Sequence, residues 1–219
     1  MARQFGNTSR QRLVASVAIL LSFSFTLGAT DDASGGRAAQ SRRQMRKVPY
    51  PADALDLRAV PYKILFETYV QTGGKRNWEI FRMDADGSNP VNLTQTSDLD
   101  EMYPHASPDG TRICFVVDEG ERREKVRSVY YMNIDGTGRV KVATNAREPC
   151  WSPDGKTIAY LKGEYDRYTT REYATAEFLF YDCQTGQHRA HPNTNLQHLY
   201  AICWSPDGNW FLAAVHGAI

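Results

Sequence analysis

The sequence predicts an all-β fold built of repeated four-stranded antiparallel units, and three observations predict it. A tetrapeptide returns three times, as Ser107-Pro108-Asp109-Gly110, Ser152-Pro153-Asp154-Gly155 and Ser205-Pro206-Asp207-Gly208. A short apolar run follows each copy: Ile113–Val116, Ile158–Leu161 and Phe211–Ala214. The copies lie 45 and 53 residues apart. A self-similar unit of about 40–50 residues containing several strands is the signature of a β-propeller or a similar array.

Each residue of the tetrapeptide has a turn-forming role. Serine accepts a hydrogen bond from the backbone two residues on, and proline presets φ for the first corner. Aspartate tolerates the second corner, and glycine supplies φ > 0 where the chain re-enters a strand. A type I turn closed by a left-handed glycine is a common hairpin connection. Each copy therefore joins two antiparallel strands. Cys150-Trp151 and Cys203-Trp204 precede the second and third copies, and His105-Ala106 holds that place in the first.

The units can be laid over one another. In the first, Ile64–Phe66 and Trp78–Met83 are strands, followed by the turn Asp84–Ser88 and a last strand at Val91–Thr94. In the second, Ile113–Phe115 is followed by Val129–Met132, the turn Asn133–Thr137 and Val140–Val142. The third has Ile158–Tyr160, Phe178–Tyr181 and the turn Asp182–Gly186, offset by one residue. The fourth contributes the strands around Ser205–Gly208. No tetrapeptide precedes Ile64, so the inner strand of the first unit is expected to be missing or to be supplied by a C-terminal segment.

These motifs carry a resemblance. Ile80-Phe81 with Met83-Asp84-Ala85-Asp86-Gly87-Ser88, then Leu93-Thr94, then Ser-Pro-Asp-Gly with an Ile-x-Phe strand, resembles the TolB-like (WD40-like) β-propeller repeat family. It covers roughly residues 60–219, and two separate turns agree in three copies. The family implies that the strand before Ser-Pro-Asp-Gly is innermost. It also implies an exported binding or scaffold propeller that presents loops to a protein or envelope ligand. The same repeat occurs in propeller halves of prolyl-oligopeptidase-like hydrolases and in propeller lyases, so a propeller portion of a larger enzyme is the alternative. Propellers close with four to eight blades, and this chain offers about three and a half. An incomplete propeller, forming part of an assembly or of a longer product, is the expectation.

Up-and-down connectivity places the two kinds of glycine turn on one edge of the disc. The remaining connections fall on the other: Glu67–Asn77, Asp118–Arg127 and Lys162–Glu177 within units, and Gln95–Glu101, Thr144–Arg147 and Arg189–Leu199 between them. Variable loops on a rigid scaffold are where binding concentrates. The most distinctive is Lys162–Glu177, which carries Tyr165, Arg167, Tyr168, Arg171 and Tyr173. Tyrosine and arginine are enriched at interface hot spots, so these five are the candidate partner-binding residues. A solvated hairpin tip whose tyrosines pack on the neighbouring unit is the simpler explanation of them.

Three segments divide the chain. Residues 1–30 have the form of a signal peptide: Arg3, Arg10 and Arg12, then the uncharged run Leu13–Leu27, then Gly28, Ala29 and Thr30. That run of 15 residues is short for a membrane span, which needs about 20. Residues 31–57 read as a disordered basic linker, with Arg37, Arg42, Arg43, Arg46 and Lys47, and 58–219 as the propeller. A periplasmic or extracellular location follows, with no stable span after signal removal. A formal net charge of +1 gives no reason to invoke nucleic acid.

Export permits disulfides. Cys150 and Cys203, however, occupy equivalent places in successive units, further apart than a bridge allows. All four cysteines, with Cys114 and Cys183, read as small buried apolar residues. No nucleophile elbow, zinc-protease motif or phosphate loop is present, so the chain reads as non-enzymatic, with no cofactor and no metal. Asp84–Ser88 reads as a tight turn rather than a calcium loop, and His188 with His191 as surface residues. His105, on an inner strand, is the one histidine placed to face a central channel.

Overall fold

The computed structural model describes residues 56–72, 74–120, 125–163, 175–196 and 198–215. The segment expected to be a signal peptide, residues 1–30, lies outside the described residues, as does the expected linker up to residue 55. The last linker residues belong to the fold: Asp56 caps a 3-10 turn at Leu57–Ala59 by accepting from the Arg58 N–H at 3.0 Å. Among the described residues no helix is long and apolar enough to cross a membrane.

Among the described residues thirteen strands follow in chain order. They are β1 (Lys63–Thr72), β2 (Lys75–Asp84), β3 (Val91–Asn92), β4 (Asp100–Ala106), β5 (Arg112–Glu119), β6 (Val126–Asn133), β7 (Val140–Thr144), β8 (Ala146–Trp151), β9 (Thr157–Gly163), β10 (Thr175–Asp182), β11 (His188–Ala190), β12 (Leu199–Trp204) and β13 (Phe211–Val215). They form four sheets of consecutive antiparallel strands: β1-β2-β3, β4-β5-β6-β7, β8-β9-β10-β11 and β12-β13. The chain is an all-β propeller, with two complete four-stranded blades between a three-stranded and a two-stranded sheet. The first strand of each later sheet packs against the sheet before it, β4 neighbouring β8 and β8 neighbouring β12.

The sheets are joined by apolar faces. On β5, the period of two divides the side chains between neighbours. Ile113, Phe115 and Val117 meet Ile80 and Leu93 of the first sheet. Cys114 and Val116 meet Trp151, Ile158 and Tyr160 of the third. On β9 and β10, Ala159, Leu161, Phe178 and Phe180 turn the other way, onto Leu199 and Ile202 of the fourth. The continuous apolar run Ile113–Val117 is therefore fully buried on both faces. Each such side chain contributes about 1.5–3 kcal/mol on burial.

The repeated turn forms the same network three times, and the roles of its serine and aspartate differ from expectation. The aspartate accepts from the N–H two residues on, as Thr111 N to Asp109 Oδ1 at 3.0 Å. The serine hydroxyl accepts from the N–H five residues on, as Arg112 N at 2.9 Å, and donates to the aspartate at 2.6 Å. Gly110, Gly155 and Gly208 hold φ of 71°, 69° and 75°. The turns also stack. The ring of Pro108 lies 3.7 Å from where a Cβ on Gly155 would stand, and Pro153 lies 3.7 Å from the same point on Gly208. Arg112 adds a clamp: its Nη2 donates to the Gly155 carbonyl at 2.6 Å and its guanidinium lies 4.6 Å from the Trp151 ring centroid.

Several expected connections are shorter than the sequence suggests. Strands β1 and β2 pair from Lys63↔Asp84 to Thr72↔Lys75, leaving a tight hairpin in place of the Glu67–Asn77 loop. Only Asn145 separates β7 from β8. The second-edge connection between β5 and β6 spans 120–125, and that between β9 and β10 spans 164–174.

The second kind of turn binds neighbouring sheets. A Cβ on Gly136, whose φ is +88°, would stand 2.6 Å from the Leu93 carbonyl oxygen, whereas one on Gly87, φ +85°, meets nothing within 4 Å. Both replacements incur the left-handed backbone cost of about 1–2 kcal/mol. Gly136→Ala adds a collision between two blades. In urea unfolding it should cost about 2–4 kcal/mol, against about 1–2 kcal/mol for Gly87→Ala.

Candidate binding site on the inner rim

Register shifts occur at the same place in all three inner strands: between Met102 and His105, between Arg147 and Cys150, and between Tyr200 and Ile202. Each carries a left-handed non-glycine residue: Tyr103 (φ 55°), Glu148 (φ 51°) and Ala201 (φ 53°). A bulge with an extra residue re-aims a side chain, and strained positive φ concentrates at functional sites. The two fully paired blades place Pro104 and Pro149 directly after the bulge residue.

Around Tyr103 these bulges assemble a compact polar group. The ring is 54% exposed, and the Arg127 guanidinium lies over it at 5.4 Å from the centroid. Arg127 is held from below by Asp118, in a fork with Nε–Oδ1 at 2.7 Å and Nη2–Oδ2 at 2.9 Å. Such bidentate pairs are the stronger and more directional kind. The Tyr103 N–H donates to the Glu67 carboxylate of the first sheet, so the bulge also spans the blade boundary.

Electrostatically the group is crowded with carboxylates. Burial pushes the Glu67 carboxyl above its usual range, opposed by the Tyr103 N–H and Arg127. Burial does the same to Glu148, opposed by Arg147 and Arg127. The Tyr103 phenol is raised by burial against the pull of Arg127. Arg147, one position before Glu148, is buried; its Nη2 donates to Thr175 Oγ1 at 2.6 Å and to the Leu199 carbonyl at 2.9 Å, tying the third sheet to the fourth. The rim is thus rigid, with its cationic and anionic groups already engaged, and Tyr103 is its exposed apolar surface.

The residues singled out from sequence are distributed differently. Tyr165, Arg167, Tyr168, Arg171 and Tyr173 lie outside the described residues, in the connection between β9 and β10. His105 does not face a channel. It pairs with Cys114 across β4–β5, so it shares the face turned to the third sheet; its Nδ1 is buried, and burial lowers its pKa. His188 and His191 are separately engaged: His188 Nδ1 meets the Tyr160 hydroxyl at 2.9 Å, and His191 stacks on Phe178 at 5.4 Å. Asp84 and Asp86 are occupied by Ser88 and Asn89 within their own turn. Among the described residues no group of three or more histidine, cysteine or acidic side chains is arranged to hold a metal ion.

The cysteines need one correction. All four are free thiols; Cys114 and Cys150 are buried and Cys183 is half-buried, its thiol pushed up to about 11 chiefly by burial. Cys203, expected inside, is exposed. Its equivalent, Cys150, is covered by the next sheet, and among the described residues no sheet follows β12–β13.

Sequence reasoning missed the Tyr103–Arg127 group because Tyr103, Asp118, Arg127 and Glu67 come from four strands of two sheets. The one local signal was the residue-Pro pair, Tyr103-Pro104 and Glu148-Pro149, three and four positions before a turn tetrapeptide.

No protein-family model matches the chain, and no curated protein matches it. Solved structures similar to it are themselves propellers or contain them. TolB from Acinetobacter baumannii is 16% identical over 69% of this chain and 36% of its own, with a TM-score of 0.48. The β-propeller domain of the Trilobed protease from Pyrococcus furiosus is 14% identical over 60% of this chain and 40% of its own, at 0.42. An oligogalacturonate lyase in complex with manganese is 19% identical over 65% of this chain and 37% of its own, at 0.45. The chain spans well under half the length of each of these three, and they include enzymes and a non-enzyme alike.

The raised carboxyl at Glu148 has a measurable sign. A carboxyl whose folded pKa lies above its unfolded value, near 4.5, binds its proton more tightly when folded. Its ionisation therefore weakens the fold as pH rises from about 4.5 through the folded value. Glu148→Gln should flatten the decline of the urea midpoint between about pH 4.5 and 7, leaving the residual slope to Glu67 and Glu101, which are raised in the same sense chiefly by burial.

Proposed function

We propose that the chain is a non-enzymatic binding propeller, exported to the periplasm or cell exterior, whose irregular rim meets a protein or other envelope ligand. The observation that carries this reading is the exposed Tyr103 ring with Arg127 fixed above it. Tyrosine and arginine supply a disproportionate share of binding energy at protein interfaces. Here both are positioned before any ligand arrives, by the bulge and by the Asp118 fork, so little ordering cost remains on binding. Tyr165, Tyr168 and Tyr173, between β9 and β10 in the chain, bring the same residue chemistry.

The reading is tested by affinity capture from envelope extract with the immobilised chain. Tyr103→Ser, and separately the triple replacement of Tyr165, Tyr168 and Tyr173 by serine, should each reduce recovery of the partner at least several-fold, with unchanged circular dichroism. A partner recovered undiminished by both variants would remove the binding role of this rim.

A further inference from the structure

Five aspartates are followed by glycine: Asp86-Gly87, Asp109-Gly110, Asp135-Gly136, Asp154-Gly155 and Asp207-Gly208. All lie in hairpin turns, at least one in each of the four sheets. The turns call for both residues. Each of these glycines has φ between 69° and 88°, a backbone that other residues adopt only at a cost. Each aspartate accepts from the N–H two residues on, at 2.9–3.1 Å.

In a flexible chain an Asp–Gly bond is also chemically weak. The glycine nitrogen attacks Cγ of the aspartate: a Cγ–N bond forms, the Cγ–OH bond breaks, and the amide proton leaves with the hydroxyl as water. Water then reopens the five-membered imide. Opening at the former backbone carbonyl leaves the chain running through the side chain, as isoaspartate. The reaction needs a free glycine N–H and a carboxyl able to turn back onto it. It also needs a proton on that carboxyl, because the oxygen departs as water.

The turns oppose all three. Each glycine N–H donates to a carbonyl of its own turn, Gly87 to Asp84, Gly110 to Ser107, Gly136 to Asn133, Gly155 to Ser152 and Gly208 to Ser205, at 2.9–3.0 Å. Each carboxylate reaches past its own glycine and is held there by a hydroxyl as well as by the N–H. In the tetrapeptide the hydroxyl belongs to the serine two residues before, at 2.6 Å for both Asp109 and Asp154, and Ser205 does the same for Asp207. In the second kind of turn it belongs to the residue two after, Ser88 at 2.6 Å and Thr137 at 2.7 Å. Two unrelated turns thus reach one arrangement from opposite directions. Hydrogen bonds donated to a carboxylate favour its ionised form. The hydroxyls hold Asp86, Asp135 and Asp154 below the usual carboxylate range, and Asp207 down to about 2. At Asp109 burial pushes the carboxyl up, and the Ser107 hydroxyl with the Thr111 N–H outweighs it.

We infer that the paired hydroxyl and N–H donors guard these five bonds, so that isoaspartate forms only in a chain whose turn has opened. The five bonds are then modification sites that report local unfolding sheet by sheet. An isoaspartyl residue adds an atom to the backbone, so a modified turn cannot close again in its original form.

The test incubates the full chain at neutral pH, digests it, and measures each Asp–Gly peptide by mass spectrometry with electron-transfer fragmentation, which separates aspartyl from isoaspartyl linkages. The folded chain should accumulate isoaspartate several-fold more slowly at all five bonds than the chain held in urea. Thr137→Val removes the hydroxyl from an exposed turn residue and should speed the reaction several-fold at Asp135-Gly136, with the other four bonds as controls. Ser107→Ala should act in the same way at Asp109-Gly110. Ser107 is buried, and the exposed Thr137 keeps the test decisive if the Ser107 variant does not fold. Folded and unfolded chains that react equally fast overturn the inference. So does a Thr137→Val chain whose Asp135-Gly136 rate is unchanged, or rises only together with the other four.

Discussion

The architecture rests on the stacking of sheets through apolar faces. Among the described residues every ladder is confined to its own sheet, and no strand of one sheet pairs with a strand of another. Backbone hydrogen bonding therefore makes the blades but does not assemble them. Assembly comes from the alternation along β5, β6, β9 and β10, which gives the two four-stranded sheets an apolar face on each side, each covered by a neighbour. A sheet solvated on one face would alternate apolar and polar residues; Ile113–Val117 and Ile158–Leu161 do not.

The turns convert this loose requirement into a fixed spacing. Proline of one tetrapeptide touches the glycine of the next, and Arg112 reaches from the second blade to the tetrapeptide turn of the third, at Gly155. On the same edge, Gly136 lets the second blade's outer turn close on the Leu93 carbonyl. These contacts involve backbone and short side chains, which leave little room for adjustment. The regular edge is thereby committed to holding the blades together. The opposite edge, with the Tyr103–Arg127 group, is free to differ from blade to blade.

Much of this was legible in sequence because it repeats. Three copies of Ser-Pro-Asp-Gly located the inner hairpins, and the spacing of the glycine turns located the outer ones. The offset at Asp182–Gly186 was visible too: Gly186 bonds back to a residue four earlier, whereas Gly87 and Gly136 bond back three. What did not repeat was hidden. The β1–β2 hairpin extends through Glu67–Asn77 because the polar residues there alternate with Tyr69 and Trp78, which pack edge to face at 4.6 Å across the strands. The polarity of that stretch concealed its strand period. The pair of buried Glu101 with half-buried Arg139, joined at 2.8 Å, was equally invisible, since its members are far apart in the chain and neither stands in a motif. The exposure of Cys203 was misjudged for a third reason: equivalence in a repeat guarantees the same direction, not the same neighbour.

The inner-strand bulge has a consequence for how such a protein can diversify. Its extra residue stands outside the pairing count, so the ladder closes whatever side chain occupies it. In this chain the position holds a phenol, a carboxylate and a methyl group in three successive blades. Each blade thus carries one site whose chemical identity is decoupled from folding. A ring of blades is then a ring of independently adjustable letters written around a single axis, and a new specificity can arise by changing letters while the grammar of the fold stays intact.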